Sequence, residues 1–213
     1  AVPPNLPLAT FDGFVAGLCS EAASHACPLL GGNITRAPQT SATLTVLGSV
    51  PRGTALRRRA RAGDRIFATG HFGRSALEVA RAESGGARLR YVPTPRIAAG
   101  QALRGIPAIR GCVDVSDGLE ADLAHLLGPN LHLELVPGNI PRPPGFESAC
   151  RKAGLDPEWL CRRGGEDYEL LFSLAPGGPG VPQLTRRLGV EVTELGRVER
   201  GPAETPPGGW RHL

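Results

Sequence analysis

The pattern of apolar and polar residues is most informative between Cys112 and Leu127. The β-branched run at residues 112–115 has the composition of a buried strand. Residues 116–118, Ser-Asp-Gly, supply turn chemistry and a helix N-cap, and the leucines that follow recur at the spacing of an amphipathic helix. The pattern therefore predicts a strand, a sharp turn and a helix, with Asp114 and Asp117 on either side of the turn.

Similar patterns predict the remaining secondary structure. The predicted helices cover Phe11–Cys27, Arg74–Ala82, Arg96–Leu103, Phe146–Ala153, Pro157–Cys161 and Pro182–Leu188. The predicted strands cover Thr40–Val50, Ile66–Thr69, Leu131–Val136, Leu170–Phe172 and Val190–Val198. A composition shift at Pro51-Arg52-Gly53 separates the chain into residues 1–51 and 52–213. These elements predict an α/β (α+β) protein with two domains.

The turn after the strand is a candidate cation site. A carboxylate within an apolar strand is costly to bury unless it is paired or binds a metal. Together with Ser116, Asp114 and Asp117 would hold a hard cation against the phosphates of a ligand. Alternatively, Asp117 only caps the helix and Asp114 is exposed at the end of the strand. The residues alone leave both interpretations open.

Three other stretches carry candidate chemistry. Residues 163–172, RGGEDYELLF, place three carboxylates before and into an apolar strand, which favours either a metal or amine site or a charged loop rim. The glycine pair in residues 31–36, GGNITR, permits close backbone approach to a phosphate, although a lone glycine pair is common and a plain turn is the simpler interpretation. The basic run at residues 57–61 is typical of a solvated face.

The amino-acid composition restricts the kinds of protein that this chain can be. With 41% hydrophobic and 21% charged residues, the chain should be globular. The net charge of +4 comes almost wholly from arginine, and aromatic residues make up only 5%, so we do not expect nucleic-acid binding. No apolar run approaches the roughly 18 residues that a membrane span needs. Five cysteines without a CxxC pair favour reduced thiols in a cytoplasmic protein.

Taken together, the motifs resemble those of thiamine-monophosphate kinases, of the superfamily that includes aminoimidazole ribonucleotide synthetase. The matching segments are GGNITR (31–36), RRRARAGDRIFATG (57–70), VDVSDGLEADLAHLL (113–127), GGEDYELLF (164–172) and GGWRHL (208–213). The resemblance implies a two-domain aminoimidazole ribonucleotide synthetase-like fold. Residues 1–51 would be the remainder of an N-terminal ATP- and magnesium-binding domain, and residues 52–213 the C-terminal domain. The implied activity is ATP-dependent phosphorylation of thiamine monophosphate to thiamine diphosphate.

The resemblance also implies roles for individual residues at the nucleotide. Asp114 and Asp117 would be Mg²⁺ ligands, and Ser116 would contact ATP. Gly32 and Asn33 would lie in the nucleotide and metal site. The family typically has Asp where this chain has Asn33, and an amide oxygen can bind Mg²⁺ but brings no charge.

Further implied roles concern the phosphates and the second substrate. Arg57 would contact the ATP phosphates, Glu166 would bind the thiamine part, and Trp210 would stack on it. No side chain is expected to act covalently, because phosphoryl transfer depends on positioning and on cations that offset phosphate charge. The family pairs through its N-terminal domain, so the resemblance implies a homodimer when full length.

One departure from the family affects the expected activity. The family's N-terminal portion, with a Gly-Asp-Asp metal motif, has no counterpart among these 213 residues. We therefore expect the chain alone to turn over slowly or not at all. Two alternatives remain open at this point: a non-catalytic nucleotide-binding or assembly module derived from the family, and another ATP-dependent member of the superfamily.

The implied role of Trp210 predicts a selective loss of binding. If the indole stacks on thiamine, Trp210→Ala should weaken the binding of thiamine monophosphate by roughly 0.5–2 kcal/mol, the range of a cation–π contact. The affinity for ATP and the melting temperature should stay nearly unchanged. Calorimetric titration with each ligand measures this. If Trp210 is instead a packing anchor, the variant should lose about 3–5 kcal/mol of stability and bind thiamine monophosphate normally when folded.

Overall fold

The computed structural model describes residues 1–52, 56, 59–85, 89 and 91–202, and divides into two compact units, Ala1–Ser49 and Val50–Leu213. The division lies two residues from the predicted boundary. The assignment of the units as an ATP- and magnesium-binding domain and a synthetase-like domain stays a prediction. Among the described residues, no helix is both long and apolar enough to cross a membrane.

The first unit contains one helix, α1 (Leu8–Ser24), which agrees with the prediction for residues 11–27. The predicted strand at Thr40–Val50 is wrong, because this segment is neither helix nor strand and every residue in it is exposed. Leu44 and Val46 alternate with threonines, but a strand also needs a neighbour that pairs with its N–H and C=O groups along its length. In the described part of the chain, this segment exchanges backbone hydrogen bonds only at Ser41, with Ala1.

The described residues of the second unit form a five-stranded sheet and six helices. The strands are β1 (Arg65–Thr69), β2 (Ile109–Asp114), β3 (Leu131–Leu135), β4 (Leu170–Leu174) and β5 (Val192–Arg200). The helices are α2 (Arg74–Gly85), α3 (Ile97–Leu103), α4 (Leu119–Leu127), α5 (Phe146–Ala153), α6 (Pro157–Arg163) and α7 (Val181–Leu188). Each agrees with a predicted element to within a few residues. The strand order is β2-β4-β1-β5-β3, and every neighbouring pair is antiparallel.

Alternation along the central strands builds a core on each face of the sheet. Ile66 and Ala68 of β1 pack with apolar residues of α2, α4, α5 and α6. Phe67, between them, packs on the other face with residues of α3 and α7. Phe67 and Phe172 of β4 are register partners whose rings stack with centroids 5.6 Å apart. Both central strands are therefore buried on both faces, which explains their continuous apolar runs.

The strand directions decide where polar groups gather. Since β1 and β2 each pair antiparallel with β4, they run in the same direction. The carboxyl ends of β1 and β2 therefore lie at the edge of the sheet where β4 begins. Thr69, Asp114 and the residues that precede Leu170 meet there, and this edge carries the candidate site.

Truncation of the stacked ring at the centre of the sheet should be costly. Phe172 is completely buried, so Phe172→Ala should lower the free energy of unfolding by about 3–5 kcal/mol through lost burial and the cavity left behind. Urea denaturation followed by tryptophan fluorescence measures this, because both tryptophans belong to the second unit. Val136→Ala, at a position 43% exposed, is the control and should change stability by less than about 1 kcal/mol. Equal losses in the two variants would contradict the assignment of Phe172 to the core.

Candidate active site

The turn between β2 and α4 presents two exposed carboxylates. Asp114 is the last residue of β2, and both Asp114 and Asp117 are exposed. Asp117 does not cap the helix, because the N-cap is Gly118 and no side chain hydrogen-bonds there. Gly118 has a φ of 110°, and a Cβ at this position would lie 2.9 Å from the carbonyl oxygen of Arg163. Glycine is therefore required at the N-cap, and the Asp117 side chain is left to other contacts.

Asp122 fixes the conformation of this turn and was missed by the sequence analysis. It is buried on α4, and its Oδ2 accepts hydrogen bonds from the backbone N–H groups of Ser116 (3.0 Å) and Asp117 (2.9 Å). Burial raises the pKa of Asp122, and the negative charges of Asp117 and Asp114 raise it further. The signal was present in the sequence: Asp122 follows Leu119 by three residues and precedes Leu126 by four, which places a carboxylate on the apolar face of the helix.

The two dense sequence motifs are joined through their backbones. Val115 donates its N–H to the carbonyl of Glu169 (2.8 Å) and accepts from the N–H of Tyr168 (2.8 Å). The N–H of Glu166 donates to the carbonyl of Ser116 (2.9 Å). Glu166 and Tyr168 both have a positive φ, of 65° and 52°, which non-glycine residues seldom adopt. This backbone ladder brings the half-buried Glu166 beside the Asp114–Asp117 turn.

The three acids of the second motif have different environments. The hydroxyl of Tyr168 donates to Glu166 Oε2 (3.1 Å), and both of these side chains are accessible to solvent. Asp167 and Glu169, by contrast, are 3% and 4% exposed. Of the three, only Glu166 is therefore placed to meet a ligand from solvent, and the other two have structural partners.

Glu169 is held by a buried ion pair. Its carboxylate accepts two hydrogen bonds from Arg96 (2.5 and 2.7 Å) and one from the Thr69 hydroxyl (2.6 Å). The carboxylate occupies the space where a Cβ at residue 70 would stand, and Gly70 also has a φ of 54°. The Glu169 carboxylate therefore connects the end of β1, at Thr69, to the residue that precedes β4.

Asp167 holds the start of α2. Its carboxylate accepts hydrogen bonds from the N–H groups of Gly73 (2.7 Å) and Ser75 (3.3 Å). These bonds favour the charged form, but burial outweighs them and raises the pKa of Asp167 to about 7. The Ser75 hydroxyl donates to the carbonyl of Glu166 (2.5 Å). The contacts between residues 73–75 and residues 166–167 therefore hold both the start of α2 and the backbone of Glu166.

The acidic turn has the chemistry of a site for a hard cation. One ligand atom from each of Asp117, Asp122 and His125 lies within 4.8 Å of the other two. Asp114 is outside this group, but its charge and that of Asp117 both raise the pKa of Tyr168, after burial and the hydrogen bond to Glu166. Exposed carboxylates are the ligands that Mg²⁺ prefers, so the residues present fit that ion.

The remaining predicted site residues are not brought to this edge by any described contact. Gly32 and Asn33 lie in the first unit, where they line a cavity of about 730 Å³ together with apolar residues of α1. Arg57 and Trp210 lie outside the described residues. The roles of all the predicted site residues stay predictions.

The raised pKa of Asp167 predicts an unusual dependence of stability on pH. Because the folded state binds this proton more tightly than the unfolded chain, stability from this group is fully present below about pH 4 and is lost as pH rises toward about 7. Between about pH 5 and pH 8, the free energy of unfolding should fall by on the order of 2–3 kcal/mol relative to that of Asp167→Asn. Urea denaturation at several pH values measures the difference.

A matched control for this prediction is Asp156→Asn. Asp156 also accepts a helix N-terminal N–H, from Glu158 (2.9 Å), but it is exposed at the start of α6. The difference between this variant and the parent should stay constant over the same pH range. A constant difference for Asp167→Asn as well would contradict the raised pKa.

Comparison with known proteins identifies the family. No protein-family model matches the chain. Thiamine-monophosphate kinase of Escherichia coli K12 is 34% identical over 223 residues, which include 92% of this chain. The chain spans only 63% of that relative's length.

Solved structures agree with the sequence relatives. Thiamine-monophosphate kinase from Stenotrophomonas maltophilia matches 95% of this chain and 69% of its own, with 28% identity and a TM-score of 0.78. AaThiL complexed with AMPPCP and TMP matches all of this chain and 71% of its own, with 24% identity and a TM-score of 0.71. The chain has the aminoimidazole ribonucleotide synthetase-like fold, and its resemblance to the thiamine-monophosphate kinases is confirmed.

Proposed function

We propose that this chain takes part in the ATP-dependent phosphorylation of thiamine monophosphate to thiamine diphosphate, by direct in-line phosphoryl transfer. The observation that carries the proposal is the backbone ladder between residues 115–116 and 166–169. It places the carboxylates of the DVSDGL turn and of Glu166 at one edge of the sheet. The family relationship supports the choice of reaction, and AaThiL, which has the same fold, is known in complex with AMPPCP and TMP.

The turn supplies the groups for the nucleotide end of the reaction. Asp114 and Asp117 would hold Mg²⁺, and the metal would offset the charge on the transferring phosphate. Ser116 would contact ATP. For Gly32 and Asn33 of the first unit, we propose the nucleotide- and metal-binding roles that the family resemblance implies. Asp122 is a positioning residue, because its two hydrogen bonds fix the backbone of Ser116 and Asp117.

Glu166 supplies the group for the thiamine end. The thiazolium ring of thiamine carries a permanent positive charge, which a carboxylate complements. The hydroxyl of Tyr168 donates to Glu166 Oε2, so it orients the carboxylate without neutralising it. Arg57 on the ATP phosphates and Trp210 on the thiamine rings complete the proposed set of contacts.

The wider setting is also part of the proposal. We infer a cytoplasmic enzyme that acts as a homodimer when full length and uses neither nucleic acid nor a membrane as partner. All five cysteines are free thiols, which suits a reducing compartment.

The proposed magnesium ligands predict a loss of nucleotide binding. Asp117→Asn should weaken Mg-ATP binding by on the order of 1–3 kcal/mol, because a charged ligand is replaced by a neutral one. Isothermal titration calorimetry on the 213-residue chain measures this. Glu134→Gln removes an exposed carboxylate from β3 and should leave the affinity unchanged. Unchanged affinity in both Asp114→Asn and Asp117→Asn would reject the assignment.

A further inference from the structure

A second polar cavity lies at the opposite edge of the sheet. It has a volume of about 790 Å³, and four arginines line it: Arg59, Arg61, Arg110 and Arg200. They come from the loop before β1, the start of β2 and the end of β5. Since β1 and β2 begin at this edge and β5 ends there, the cavity is separated from Asp114 and Glu166 by the length of the strands.

Asp64 contacts two of the arginines that line this cavity. Its side chain is fully buried, accepts a hydrogen bond from the N–H of Arg61 (2.9 Å) and forms an ion pair with Arg110 (3.0 Å). Burial raises the pKa of Asp64, against the hydrogen bond and the charges of Arg110 and Arg61. The loop backbone is hydrogen-bonded on both sides of Arg61. The N–H of Ala60 donates to the carbonyl of Leu126 (3.0 Å), and the N–H of Gly63 donates to the carbonyl of Val198 (2.7 Å). The loop backbone that carries Arg59 and Arg61 is therefore held in place by these contacts.

The positive charge at the cavity is not balanced by neighbouring acids. Among the residues that line it, no side chain is acidic, and Asp64 beneath it supplies one negative charge against four positive ones. In the described part of the chain, Arg59, Arg61 and Arg200 form no ion pair within 4.0 Å. Arg65, Arg96 and Arg162, by contrast, each form an ion pair with a glutamate. An excess of guanidinium groups in one cavity is a site for a multiply charged oxyanion.

We propose that this arginine-lined cavity binds a small phosphate-bearing anion, at a site separate from the one for phosphoryl transfer. The planar guanidinium group presents paired N–H donors that match two phosphate oxygens at once. A ligand with two linked phosphates would reach several of the arginines together. The side-chain amide of Asn130, which also lines the cavity, adds a neutral donor.

Binding of inorganic pyrophosphate to the 213-residue chain tests the proposal. Titration calorimetry is run at about 0.05 M salt, where screening is weak, with EDTA and no magnesium so that metal-dependent binding at the acidic edge is suppressed. The double variant Arg61→Gln, Arg200→Gln should raise the dissociation constant by about tenfold or more through the loss of charge-assisted hydrogen bonds. Arg61→Lys with Arg200→Lys keeps the charge but loses the paired donors, and should weaken binding by a smaller factor.

The matched control is Lys152→Gln with Arg186→Gln. It removes the same two charges from exposed positions on α5 and α7 and should leave pyrophosphate affinity within about twofold of the parent. Arg61 and Arg200 are exposed as well, so all three variants should melt with the parent. Equal weakening in the control and the glutamine variant would show a diffuse charge effect and overturn the site. No binding by the parent, or unchanged binding by the glutamine variant, would overturn it too.

Discussion

The site depends on the backbone hydrogen bonds that join residues 115–116 to residues 166–169. Both segments lie outside regular helix and strand. The ladder extends the pairing of β2 with β4 beyond the strand ends. As a result, Asp114, Asp117 and Glu166 lie at one edge of the sheet, on backbone that is held by hydrogen bonds.

Buried carboxylates complete this support. Asp122, Asp167 and Glu169 each accept hydrogen bonds from a different partner segment, and each is nearly inaccessible to solvent. The energetic cost of burying them is offset only when those donors are in place. The carboxylates of Asp114, Asp117 and Glu166 at the same edge can therefore stay accessible to solvent while their backbones are held by hydrogen bonds. Such an arrangement suits a reaction in which a metal and two charged substrates must be positioned.

Periodicity predicted all elements of the second unit because each apolar stripe there meets a packing partner. The same alternation failed at Thr40–Val50, which the described residues pair with only at Ser41. The motif resemblance assigned roles to Asp114, Asp117 and Glu166, whereas the contact between their segments needed the register of β2 on β4. Asp122 was predictable from its place on an apolar helix face. Asp167 was not, since its partners Gly73 and Ser75 lie more than 90 residues away.

The contact between Gly70 and Glu169 has a consequence for how this sequence can vary. Any side chain at residue 70 would overlap the space that the Glu169 carboxylate fills. The new residue would also have to adopt the left-handed backbone conformation of Gly70. A displaced Glu169 would leave Arg96 without its partner at the same sheet edge. A substitution at any one of residues 70, 96 and 169 should therefore disturb the other two. Changes at these three positions should be tolerated only when they occur together.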